Sequence, residues 1–147
     1  MSQLISLLSG QPVIDHHDRW QPASASVATL PVMSLEEWQN AGCPGNAGLQ
    51  LQANDDPEQL PAAALQLPLI CLWFERFTDG RAYSQANILR RRMGYRGDLR
   101  ACGDVLRDQL VMMEQCGFSS FLIRADKNPQ DALQGLQRFR YRFRSDV

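Results

Sequence analysis

Lysine is nearly missing from this chain: of fifteen basic residues only Lys127 is lysine. Histidine is as scarce, with two residues that sit side by side as His16 and His17. In a strand such neighbours face opposite ways, and no third histidine exists, so a metal site is not expected. The same scarcity leaves no legible Ser/His/Asp or Cys/His arrangement. Four cysteines, Cys43, Cys71, Cys102 and Cys116, are separated by 28, 31 and 14 positions. Without a close pair they do not form a zinc knuckle, a thioredoxin-like site or an iron–sulfur centre. Cys71 and Cys102 fall in apolar stretches, where a thiol behaves as a small hydrophobe. The longest apolar run, Leu69 to Phe74, is far too short to span a bilayer. The opening "MSQLISLLSGQPVIDHHD" lacks the basic start of a signal peptide, so a cytoplasmic location is expected. No Walker loop is present, and Gly94, Gly97 and Gly103 do not make the dinucleotide fingerprint. No cofactor is therefore expected.

What is present describes an ordinary globular chain. Its 147 residues suit one domain, with 44% hydrophobic and 21% charged residues. A net charge of −1 hides a division between the halves. Residues 1–75 hold Arg19 against eight acids, whereas 76–147 hold fourteen basic groups against eight. The halves attract each other within one fold, or the second half meets an acidic partner; the first reading is favoured.

Along the chain, "PVIDHHDRWQP" reads as a short hairpin or irregular segment anchored by Trp20. "SVATLPVM" reads as a strand, and "SLEEWQNAG" as a short helix with a Ser34/Glu37 capping box and Gly42 as its stop. "LQLQAN" is a strand. A helix capped by Asp56 follows, with Pro57 at its first position and Pro61 and Pro68 as limits. "LICLWF" is a strand buried on both faces. A helix then runs from about Tyr83 to Met93, stopped by Gly94. "DLRAC" is a strand, Val105 to Gln115 a helix, "SSFLIR" a strand and "NPQDALQGLQ" a helix. The expected fold is a single α/β domain of consecutive βα units with a mainly parallel sheet, either half-barrel-like or doubly wound. Residues 1–26 form the lead-in segment and 27–147 the βα units with a C-terminal strand. That last strand is "RFRYRFR", with Phe139, Tyr141 and Phe143 on one face and four arginines on the other. Rings facing away from the arginines suit an edge strand, and nucleic-acid binding is not expected.

Ligands of parallel α/β folds bind beyond the carboxyl ends of the strands. Glu75, Arg76, Thr78, Asp79, Gly80, Arg81 and Ser84 follow "LICLWF", and Gly103, Asp104, Arg107 and Asp108 follow "DLRAC". Asp126, Lys127 and Asn128 follow "SSFLIR", and Asn54 and Asp55 follow "LQLQ". One rim thus collects the polar loops of four units. Asp104 and Ser84 read first as helix N-caps. Gly80 and Gly103 allow a sharp turn or a close backbone approach. Helix-start amides with Gly80, Arg81, Ser84, Gly103 and Arg107 would bind an anion, and Asp79, Arg81, Asp104 and Asp108 are the candidate catalytic groups. Acid–base work would fall to Asp79 or Asp108, with raised pKa values. The aspartates could equally neutralise the arginines, and the residues alone leave both readings open.

The triplet Arg90-Arg91-Arg92 is placed away from that rim. Ala82, Ala86, Leu89 and Met93 form the inward stripe of their helix, so Arg91 points to solvent and Arg90 is a structural anchor. In the next helix Leu106, Leu110 and Met113 make one apolar stripe and Val105, Met112 and Cys116 another. Core burial is the first explanation, and a homodimer or heteromeric contact the second.

The stretch "FTDGRAYSQANILRRRMGYRGDLRACGDVLRDQLVMMEQCGF" resembles the bacterial domain-of-unknown-function family 934. The resemblance covers nearly the whole chain and is strongest from Leu69 to Phe118. Matching positions are Phe77, Asp79, Gly80, Arg81, Tyr83, Ser84, Arg90, Arg92, Gly94, Tyr95, Gly97, Leu99, Arg100, Gly103, Asp104, Asp108, Gln109 and Gly117. Cys102 stands where many relatives carry valine, which weakens any thiol mechanism there. The resemblance implies a probable oxidoreductase or accessory protein of sulfite reduction, within sulfate assimilation and cysteine biosynthesis. Sulfite reductase or its electron donor would be the partner. It transfers no catalytic residue. The reading from the residues themselves is a small anion-binding enzyme that handles an oxoanion at the rim, without nucleic acid or membrane.

Overall fold

A run such as Leu69–Phe74 with no polar residue must be covered on both sides, and it lies in the middle of a sheet. The computed structural model describes residues 2–18, 20–21 and 30–145, the side chains of 21 and 139–145 excepted. Its strands are β1 (Leu4–Ser6), β2 (Val13–Ile14), β3 (Trp20–Gln21), β4 (Leu30–Ser34), β5 (Gly48–Leu51), β6 (Leu69–Phe74), β7 (Asp98–Gly103) and β8 (Ser120–Leu122). The helices are α1 (Leu35–Asn40), α2 (Gly80–Asn87), α3 (Leu110–Gln115) and α4 (Pro129–Ser145). The sheet order is β2-β1-β8-β7-β6-β5-β4-β3. Strands β3 to β8 are parallel, and β1 lies antiparallel between β8 and β2; the hairpin is thus β1–β2 and not within "PVIDHHDRWQP", whose Trp20 joins β3 at the opposite edge of the sheet.

From β3 to β8 the spatial order is the chain order, which decides between the two expected architectures. A doubly wound sheet reverses its strand order and loads helices on both faces. Here every crossover steps the same way, so right-handed connections carry all helices to one face. The packing agrees. Trp38 of α1, Ala82 and Ala86 of α2, Leu110 and Met113 of α3 and Leu136 of α4 join one core with Leu49, Leu72, Phe74, Leu99 and Phe121. Burial of each large apolar side chain contributes about 1.5–3 kcal/mol. On the other face Leu69, Cys71 and Cys102 form a smaller cluster with Trp20, Val32 and Trp73. The sheet is therefore singly wound rather than doubly wound.

Local signals account for several boundaries. Ser34 accepts from the Glu37 amide, and the Glu37 side chain accepts from the Ser34 amide, so the capping box of α1 is complete. Gly42, at φ +85°, ends that helix. Ser34→Ala should lower stability by about 1 kcal/mol, measured by urea denaturation. Asp56 and Pro57 act as expected, but they open only a 3-10 turn at Pro57–Gln59 in place of the expected helix, and Pro61 separates it from a second 3-10 turn at Ala62–Gln66.

Three expectations are corrected. The helix after β6 begins at Gly80, capped by Asp79, and passes into a π turn at Ile88–Arg92. Ser84 is therefore inside α2 and caps nothing. The helix after β7 begins with a 3-10 turn at Arg107–Gln109, and α3 proper starts at Leu110. The segment "RFRYRFR" is not a strand: α4 runs through it without a break. No helix among the described residues is long and apolar enough to cross a membrane.

Candidate functional site at the carboxyl rim of the sheet

The rim arginines meet aspartates in three groups. In the first, Asp79 caps α2: Oδ1 accepts from the Arg81 amide and Nε, both at 3.0 Å, and Oδ2 from Arg81 Nη2 at 2.9 Å. The Arg81 hydrogen bonds hold the Asp79 carboxyl below its usual pKa, and Asp79 holds Arg81 above its own. In the second, Asp104 bridges two loops. Its Oδ2 accepts from the Phe77 amide at 2.8 Å and its Oδ1 from Arg124 Nη1 at 2.8 Å. Arg124 also grips Asp126 through Nε at 3.0 Å and Nη2 at 2.7 Å. Hydrogen bonds to Asp126 and then Asp104 raise the Arg124 pKa, and the Arg124 bonds lower that of Asp126. In the third, Arg107 Nη1 donates to Asp131 at 2.7 Å, and Arg107 Nε lies 3.6 Å from Asp108.

The predicted residues thus share one end of the sheet without sharing one pocket. Asp104 anchors the loop that carries Asp79 and Arg81, yet the ion-pair partner of Arg81 is Asp79 and that of Asp104 is Arg124. Asp104 caps no helix because both of its oxygens are engaged across the rim, and this leaves the chain after β7 free of a side-chain cap. Gly103 is at φ +91°, where a Cβ would stand 2.4 Å from the Phe74 carbonyl, so the close approach expected there is present. Gly80 has no positive φ and open space around it, so the sharp turn expected there is absent. The Arg81 amide is occupied by Asp79, and Ser84 is exposed on α2.

Three cavities open along this rim. One, of about 330 Å³, lies between Arg107, Asp108, Lys127, Asn128 and Asp131, with Leu106 and Ile123 behind. Asn128 Oδ1 accepts from the Gln130 amide at 2.8 Å and caps α4 above it. Two others, of about 480 and 310 Å³, adjoin at Trp73, Gly103 and Arg124. Arg124 was readable only as part of a strand, and Trp73 only as core. Among the described residues no group of three or more His, Cys, Asp or Glu is placed to hold a metal.

Two arginines have structural work away from the rim. Arg90 donates to the carbonyls of Gly117 at 2.7 Å, Tyr95 at 3.0 Å and Gly97 at 2.8 Å, and to Ser119 Oγ at 3.2 Å. Its guanidinium lies 5.5 Å from the Tyr95 ring centre. It therefore clamps the entry ends of β7 and β8, at the opposite end of the sheet from the rim. Arg100, buried on the face away from the described helices, pairs with Asp18 at 3.2 Å and donates from Nε to Ser120 Oγ at 3.2 Å. Burial opposes its charge, but the carboxylates of Asp18 and Asp98 help to offset this, and its pKa is raised. The neighbouring Cys71 thiol is pushed well up by its hydrogen bond with Cys102 and by burial, so it stays protonated at neutral pH.

Depressed carboxyl values set an acid-side signature. A carboxylate whose folded pKa is lowered contributes stability above its unfolded value and loses it as pH falls through the folded one. The Asp79 cap and the Asp126–Arg124 pair should persist below the usual carboxylate range. Carboxyl-carbon NMR titration checks this: both groups should titrate below an unpaired aspartate, and Arg81→Ala should return Asp79 towards the usual range.

A one-way wound, mainly parallel α/β sheet with paired charges along its carboxyl rim is the class of protein that these features define. The chain belongs to a family described as bacterial protein of unknown function (DUF934), whose model matches residues 48–147. That match spans every element from β5 through α4, and so includes the paired rim residues from Asp79 to Asp131. A comparison with curated proteins finds no match.

Proposed function

We propose that this protein is an accessory protein of assimilatory sulfite reduction, acting by docking on sulfite reductase or on its electron donor. The sulfite-reduction part rests on the resemblance carried by Leu69 to Phe118. One observation supports docking over turnover: Arg81, Arg107 and Arg124 are each already bound to an aspartate at 2.7 to 2.9 Å. An oxoanion substrate would have to displace those carboxylates before it met a free guanidinium. Asp79, a candidate acid or base, has its pKa moved away from neutrality, opposite to what acid–base catalysis requires. The test is sulfite reductase activity in cells that lack this protein. Reduced activity, restored by the gene product, is expected; a full rate in its absence would overturn the reading.

A second reading, a small anion-binding enzyme, is favoured by a different feature. Lys127 lines the 330 Å³ cavity beside Arg107 and makes no salt bridge among the described residues. Calorimetry with sulfite, sulfate and a phosphate ester tests it. Heat that disappears in Lys127→Ala supports the enzyme reading, and no heat for any of the three counts against it.

A further inference from the structure

The two adjoining cavities at Trp73, Gly103 and Arg124 form one groove on the helix-free side of the rim. Trp73 is the next-to-last residue of β6, beside Cys102 of β7, and belongs to the smaller cluster rather than the main core. Because Gly103 has no side chain, the indole can lie against the β7 backbone; a Cβ there would stand 3.1 Å from the ring. The indole N–H donates to Glu75 Oε2 at 3.1 Å, which fixes the ring edge. Leu122, 37% exposed, gives the groove an apolar side.

The charges around this floor are unequal. Arg124 is the one cation lining it among the described residues, and its Nε, Nη1 and Nη2 are all committed to Asp126 and Asp104. Glu75 makes no salt bridge among the described residues; Arg81 lies within its field but is tied to Asp79. An incoming anion would therefore face carboxylates, whereas a cation would find Glu75 beside an accessible indole. A planar guanidinium fits better than an ammonium, since it stacks on an indole and forks to a carboxylate at once.

We infer that this groove receives an arginine side chain of a partner protein, stacked on Trp73 and paired with Glu75, its stem along Leu122. The inference rests on the docking reading above and names the chemistry of the contact. The groove is open at its rim, where Glu75 is exposed and Leu122 is 37% exposed, so a partner's side chain enters from the end of the sheet.

The test follows the three tryptophan indole N–H signals of the full chain by NMR during titration with a short glycine–arginine peptide, using its citrulline counterpart as the uncharged control. The Trp73 signal should move, that of buried Trp38 should not, and added salt should weaken the effect. Glu75→Gln should weaken binding by about tenfold in this titration, and Trp73→Phe by a similar factor when binding is followed by calorimetry. Glu75 is exposed, so its variant should keep the fold, and an unchanged Trp38 signal would verify this. No shift, or an equal shift with the citrulline peptide, overturns the inference. So does a Trp73 shift produced by sulfite or phosphate instead, or self-association abolished by Glu75→Gln, which would make the occupant a second copy of this chain. A reductase requirement in cells with a silent groove would leave the accessory role standing and remove only this contact.

Discussion

Arg90→Ala is expected to lower stability by about 3 kcal/mol or more, since hydrogen bonds to charged groups contribute about 1.5–3 kcal/mol each and several are lost together. The half-buried guanidinium serves three carbonyls and one hydroxyl that belong to the turn after α2, the start of β7 and the loop before β8. Burial lowers its pKa, yet nothing of like geometry can replace it. Arg90→Lys should recover only a small part, because one ammonium cannot reproduce a planar fork. Gly117 belongs to the same device: a Cβ there would stand 2.4 Å from Arg90 Cγ, so the glycine makes room for the arginine stem. Arg91 bonds to Asn87 and to the Gln115 carbonyl at 3.0 Å from an exposed position, and Arg91→Ala should cost about 0.5 kcal/mol or less. Urea denaturation of the three variants separates anchor from surface.

Gly103→Ala should be at least as damaging. Its φ of +91° is strained for any L side chain, and the new Cβ would press on the Phe74 carbonyl and the Trp73 ring. Strain of this kind costs about 1–3 kcal/mol before the overlap is counted, so a total near 3 kcal/mol or above is expected. The Asp104 amide donates to that same Phe74 carbonyl at 2.9 Å, so the substitution should also loosen the Asp104–Phe77 tie. Thermal unfolding measures the first effect, and loss of the Trp73 indole signal dispersion the second.

Much of the scaffold was readable because its signals are local. The unbroken "LICLWF", the Ser34/Glu37 box and the Asp56-Pro57 start each state their own conformation within a few residues. The misreadings have local causes as well. Gly80 reads as a loop residue, which puts the expected start of α2 three residues late and makes its cap, Asp79, look like a ligand-site group. "RFRYRFR" alternates with the period of a strand, yet Asn128 and Pro129 open a helix and no proline follows to stop it. Good helix-forming side chains then carry α4 through the alternation.

The site was less readable because it depends on pairings between distant elements. That Asp104 would choose Arg124 and the Phe77 amide over capping its own helix is decided by the order of β6, β7 and β8. The same holds for Asp18 with Arg100, which are 82 positions apart. Trp73 was seen as core because an apolar run does not reveal which of its residues reaches the open end of the weaker-covered face. Strand order, once known, put the aspartate and arginine loops on one rim and the arginine triplet at the far end, as the alternating pattern of strands and helices implied.

A protein that works through a partner must bind it. The most direct test is binding of the purified chain to purified sulfite reductase, followed by titration calorimetry at low and high salt. Saturable binding that weakens with salt and with Glu75→Gln is predicted. Absence of binding to both the reductase and its electron donor, with heat from sulfite binding to the chain alone, would contradict it.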